Sequence, residues 1–133
     1  MYVDYNVYPR PESIDFFEKV ISNHDSVISW NEINDYYYCI HRVNKSSVNV
    51  LVLNLYTVGL ADYVEFIDQY PNADSIITIS NWNGYTIQAK EESRKNGVGI
   101  FVMSEFLGAL NWDEPYKYVR YDSDGNPLHL GHR

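Results

Sequence analysis

A chain of 133 residues and 15.6 kDa, 45% of them hydrophobic, has the size of one domain and enough apolar surface for a core, which argues against a disordered chain. A formal charge of −8 and an isoelectric point near 4.8 argue against general affinity for nucleic acid, whose phosphates demand a basic footprint. The same acidity suits a basic protein partner, and a lone cysteine, Cys39, excludes an intrachain disulfide.

The N-terminus lacks a basic region followed by an apolar core, so no signal peptide is expected. The longest apolar run, Val48–Leu60, is interrupted by Asn49, Asn54 and Gly59 and falls short of a membrane span. A cytoplasmic protein without a membrane partner is the expectation. Met1–Arg10 alternates weakly through Val3, Tyr5 and Val7 and reads as an edge strand or a loose arm. Pro11-Glu12-Ser13 then starts a helix, with Pro in the first turn and an acid near the positive end. Ile14, Phe17, Val20 and Ile21 give that helix one apolar face, and His24 after it suits a helix C-terminus. Ser26–Trp30 and Asp35–Val43 read as strands around a turn at Asn31–Asn34, and Asn44–Ser47 as a hairpin loop. With Val50–Tyr56 they make an antiparallel meander.

From Val50 the chain alternates strand and helix, the signature of a parallel sheet. Strands are predicted at Val50–Tyr56, Ser75–Trp82 and Val98–Met103, and helices at Leu60–Tyr70, Tyr85–Asn96 and Ser104–Leu110. Val50–Leu53 is uninterrupted apolar sequence, as a central strand covered on both faces requires. Thr57-Val58-Gly59 reads as a turn, and Ser104-Glu105 as the cap of the last helix. Beyond Asn111 the periodicity is lost, and Tyr116–Tyr121 and Leu128–Leu130 flank a hairpin turn. The fold class is therefore α/β, a mixed central sheet flanked by helices, in one domain with its core at 11–111 and a hairpin or tail at 112–133.

Few residues carry recognisable chemistry. Asp122–Asn126 looks like the start of a calcium loop without its downstream acid, and His129 with His132 lacks a third ligand. Cys39 and His41 share one strand face, where packing is the simpler role than a catalytic dyad, and Cys39 is expected to be a buried thiol. Asn54, Tyr56, Asn81, Trp82 and Asn83 fall at the carboxyl ends of the predicted parallel strands, where doubly wound sheets bind ligands, and are candidates for a small ligand or nucleotide. Thirteen tyrosines fit either a low-GC coding bias or a binding surface.

The order helix, three-stranded meander, helix, strand, helix, strand resembles the core of the restriction-endonuclease-like, or PD-(D/E)XK, superfamily. The likeness is carried by Ser75–Ser80, Asn83-Gly84-Tyr85-Thr86 and the helix containing Ala89, then by Gly97–Phe106, and it covers about half of the chain. It implies a site in which an Asp on the second meander strand and Glu-x-Lys on the third hold Mg²⁺ and activate water. Asn54-Leu55-Tyr56 stands where Glu-x-Lys would be, so the resemblance implies a degenerate, non-catalytic member without a cofactor, acting as an immunity, inhibitor or accessory protein. The alternative is a Mg²⁺-dependent nuclease in which Asp35 is joined by migrated carboxylates, Asp62 and Glu65.

Overall fold

The computed structural model describes residues 2–133; Met1, the first position of the expected arm, lies outside them. The elements are α1 (Pro11–Ser22), β1 (Val27–Asn34), β2 (Tyr37–Arg42), β3 (Lys45–Leu53), β4 (Thr57–Val58), α2 (Leu60–Gln69), β5 (Ser75–Thr78), β6 (Gly84–Tyr85), α3 (Ile87–Lys95), β7 (Gly99–Val102), α4 (Met103–Ala109), β8 (Arg120–Tyr121) and β9 (Pro127–Leu128), with a 3-10 turn at Pro115–Lys117. Five strands form the main sheet in the order β1-β2-β3-β5-β7. β2 alone runs against its neighbours, and β3, β5 and β7 are parallel. The protein is thus α/β with a mixed sheet.

Strand alternation divides the core into two layers. Val48, Val50 and Val52 of β3 pack with Phe17 and Ile21 of α1 and Phe106 and Ala109 of α4. Leu51 and Leu53 point the other way, onto Tyr63 and Phe66 of α2 and Ala89 of α3. β3 is therefore the doubly covered centre that its unbroken apolar run requires. No helix among the described residues is long and apolar enough to cross a membrane.

Several boundaries differ from the sequence expectation, each for a local reason. Asn31–Asn34 is strand rather than turn, because the polar residues of the edge strand β1 face solvent while their backbone pairs with β2. The turn is Asp35-Tyr36, and Tyr36 takes a positive φ of 67°. Its ring stacks on Tyr8 at 4.9 Å and its carbonyl accepts the Val52 N–H, contacts that hold an uncommon conformation in place. Likewise Lys45–Ser47 belongs to β3, since Asn44 at φ 55° closes the next turn in two residues. Along β1 the register shifts twice, between Val27 and Ser29 and between Glu32 and Asn34, which leaves Ile28 and Ile33 exposed.

At the other end of the sheet, β3 stops at Leu53 and β5 at Thr78, short of the predicted Tyr56 and Trp82. Thr57-Val58, expected as turn, pairs in parallel with Gly84-Tyr85, expected at a turn and helix start. Helix α3 begins only at Ile87, where the Thr86 hydroxyl accepts the Ala89 N–H. Helix α4 starts at Met103, so Ser104 is not its cap; the Glu105 carboxylate instead accepts the Val102 N–H at 3.1 Å. The expected terminal hairpin is present as β8 and β9, shorter than its flanking sequence suggests.

Arg42 on β2 is 3% exposed and ties the chain after α4 to the β2–β3 hairpin. Its Nε donates to the Ser46 carbonyl, Nη1 to those of Leu110 and Trp112, and Nη2 to that of Asp113. Replacing it strands four buried or half-buried acceptors. Arg42→Ala is expected to lower unfolding stability by about 3 kcal/mol in urea titration. Arg42→Lys should restore only part of this, since an ammonium group cannot fork to four carbonyls.

Candidate functional site

In open α/β sheets the carboxyl ends of parallel strands form the usual ligand crevice. Here a polar network occupies the β3 and β5 side of that crevice, and a cavity of about 170 Å³ at the ends of β5 and β7 is lined by Ser80, Asn81, Asn83 and Ser104. Asn54, just past β3, accepts at Oδ1 from the Ser80 hydroxyl at 2.5 Å and from Asn83 Nδ2 at 2.9 Å. Its own Nδ2 donates to the Tyr5 carbonyl at 2.8 Å, and its backbone N–H to that of Val7 at 2.7 Å. Asn83 Nδ2 also reaches Thr78 Oγ1, whose hydroxyl donates to the Leu55 carbonyl. The arm at residues 2–10 is thus neither edge strand nor loose; it lies across the strand ends and stops β3 by capturing Asn54.

The five ligand candidates are brought together only in part: Asn81 and Asn83 line the cavity at the ends of β5 and β7, and Asn81 and Trp82 a second groove. Asn54 and Asn83 come together, but on each other. Asn81 and Trp82 occupy the middle of a β-turn closed by the Asn83 N–H to the Ser80 carbonyl, and both are exposed. Tyr56 accepts the Gly84 N–H at its carbonyl, while its ring lies under the Arg133 guanidinium, 3.8 Å from the ring centroid and bonded to the hydroxyl. An open groove of about 290 Å³ runs beside the Ser80–Asn83 turn, lined by Glu12, Ser13, Phe16, Ile79, Ser80, Asn81 and Trp82.

The nuclease candidates are placed differently from the sequence expectation. Asp35 is exposed in the β1–β2 turn, ahead of β2 rather than on it. Asn54-Leu55-Tyr56 likewise lies beyond β3, not on it. Asp62 accepts the Gly59 N–H at 2.9 Å and so caps α2, and Glu65 is exposed on the same helix. Among the described residues no three His, Cys, Asp or Glu side chains gather closely enough to hold a metal ion. Asp122 closes its own turn by accepting the Asp124 and Asn126 N–H groups.

His41 bonds to Ser47 Oγ at 3.0 Å and Asn31 Oδ1 at 3.2 Å, while Cys39 is half-buried rather than buried. Asn23 takes the C-cap position of α1, and the His24 ring beyond it accepts the Ser26 N–H at Nδ1, so Nε2 carries the proton given to the Leu107 carbonyl.

A buried charged cluster escaped the sequence analysis. Lys90 of α3 and Glu105 of α4 are each about 3% exposed, with Nζ 3.5 Å from Oε2. Lys90 also donates to the Ile100 carbonyl and Tyr85 hydroxyl, and its ammonium lies over the Tyr85 and Phe101 rings. Glu105 Oε2 further accepts the Tyr85 hydroxyl at 2.8 Å and the Leu130 N–H at 3.2 Å, which fastens the segment near the C-terminus. The signal available was a lysine among the inward-facing residues Ile87, Ala89 and Lys90, read there only as part of a helix.

Compared with protein-family models, curated proteins and solved structures, the chain matches none.

Burial lowers the Lys90 pKa to about 8, against the opposing pull of Glu105. The unfolded chain, with Lys90 near 10.5, therefore binds more protons than the folded one across this interval, and stability rises with pH. Burial raises the hydroxyls of Tyr85 and Tyr38, which oppose the trend once unfolded tyrosine ionises near 10. The gain is expected between about pH 8 and 10 and to amount to about 2 kcal/mol. Urea titrations of Lys90→Met, which removes the titrating amine, should lose this rise.

Proposed function

We propose that this chain is a non-catalytic, cytoplasmic protein-binding module on a degenerate restriction-endonuclease-like fold, acting as an immunity, inhibitor or accessory protein. The observation that carries the proposal is the closed amide of Asn54. In sequence it aligns with the carboxylate that the resemblance expects on the third strand, it lies just past β3, and both lone pairs of its Oδ1 are taken by protein donors. No acceptor at that position is left for Mg²⁺, and no ammonium group follows it. The element order from α1 to α4, with one antiparallel strand second in the sheet, supports the fold assignment.

A binding role is supported by the groove beside the Ser80–Asn83 turn. Trp82 is 68% exposed and Phe16 54%, both beside the same groove. Large rings left in solvent at the rim of a rigid sheet suit a partner's surface, because aromatic anchors dominate the energetics of interfaces. The net charge of −8 favours a basic partner over nucleic acid.

Two measurements test this. Tagged protein in native lysate should retain a stoichiometric protein partner after nuclease treatment, and Trp82→Ala should lose it; a catch that depends on nucleic acid would sink the proposal. Purified protein should neither cleave DNA or RNA with Mg²⁺ or Mn²⁺ nor gain thermal stability from either ion. Cleavage abolished by Asp62→Ala would establish the nuclease alternative.

A further inference from the structure

We propose that Glu12, Phe16 and Trp82 form a slot for an arginine side chain presented by a basic protein segment. This assignment rests on the protein-binding function proposed above and names the chemistry of its contact.

The backbone that carries the walls of the slot is held before anything binds. Trp82 is the third residue of the turn Ser80–Asn83, and the side chains at both ends of that turn bond to the same oxygen, Asn54 Oδ1. The turn is therefore anchored at its two feet, and the exposed indole is held out on a short, closed loop. Glu12 and Phe16 are four residues apart on α1 and so share one helix face. Phe16 points outward while its neighbour Phe17 is buried in the core, which holds the helix against the sheet. An anchor ordered in advance loses little entropy on binding.

The chemistry of the walls selects the occupant. A purely apolar group would bury the Glu12 carboxylate without compensation, which is costly. An anion would meet that carboxylate in a chain of charge −8. A cation on an apolar stem satisfies both, with its charge toward Glu12 and its faces and methylenes against the rings. Glu12 is available for this role, because it takes part in none of the three ion pairs among the described residues. The nearest cation in sequence, Arg10, lies instead over the Tyr5 ring at 4.9 Å. The first-turn donors of α1 do not reverse the preference, since the Ser13 and Ile14 N–H groups already bond to the Arg10 carbonyl. Arginine fits better than lysine, because a planar guanidinium stacks on indole while donating edge-on to a carboxylate, and Ser13, Ser80 and Asn81 add polar partners at the rim. At about 290 Å³ the groove is at the small end for a drug-sized ligand and suits a single side chain.

The test titrates the full-length, ¹⁵N-labelled protein with an Arg-Gly repeat peptide, its Lys-Gly counterpart and free guanidinium. The Arg peptide is expected to shift the Trp82 indole N–H and to bind more tightly than the Lys peptide. Trp82→Ala and Glu12→Gln should each weaken it about tenfold, whereas Asp68→Asn, an exposed acid on α2, and Trp112→Ala should leave it unchanged. Equal weakening by Glu12→Gln and Asp68→Asn would show diffuse attraction and overturn the slot, as would an unmoved Trp82 resonance. Guanidinium bound as tightly as the peptide would assign the groove to a small cation and also overturn it. If lysate capture of the partner survives Glu12→Gln but not Trp82→Ala, the slot falls while the binding function stands.

Discussion

The amide of Asn54 joins three parts of the chain, the N-terminal arm, the end of β3 and the Ser80–Asn83 turn. Its Nδ2 fixes the N-terminal arm through Tyr5, and its Oδ1 fixes both ends of the Ser80–Asn83 turn. Arm and turn together cover the β3 end of the sheet and leave a cavity only at the ends of β5 and β7. A carboxylate at this position could accept the same two bonds but could not donate to Tyr5, and its charge would sit among neutral groups. An amide is the side chain that closes the network without leaving a charge in it. Structural order at this end of the sheet thus rests on the neutrality and the two-way hydrogen bonding of one amide.

The same end of the sheet shows where sequence is informative and where it is not. The apolar run Val50–Leu53 and the helical faces of Pro11–Ser22 and Leu60–Gln69 are visible because burial imposes a period on composition. The interruption at Asn54 is not, since Asn54-Leu55-Tyr56 continues a plausible strand and only the distant carbonyls of Tyr5 and Val7 draw it away. Thr57-Val58 and Gly84-Tyr85 each look like turn or helix start until they are placed side by side. Of the candidate ligand residues, the sequence placed Asn54 and Asn83 at the correct end of the sheet. It could not show that they bond to each other.

Charge in the interior was the larger omission. Arg42, Lys90 and Glu105 are buried, yet each stands in a stretch where a charged residue ordinarily marks the solvent face. What makes them tolerable is partners from elsewhere in the chain: the carbonyls of Leu110 and Trp112 for Arg42, and the pairing of α3 with α4 for Lys90 and Glu105. Such groups give little net stability relative to an apolar core, but once present they penalise every arrangement that separates them. They act here as registration points. Arg42 sets the path of the chain leaving α4, and Glu105 sets that of the segment containing Leu130.

The edge strand β1 has a consequence of another kind. An eight-residue strand at the margin of a sheet is an invitation to a passing strand from another molecule. The two register shifts in β1 bend its outer rim, so that unpaired donors and acceptors are out of step with any straight ladder. They also turn Ile28 and Ile33 out of the pleat. The protein thereby keeps a long, apolar-tinged margin without offering a template for cross-molecule zippering.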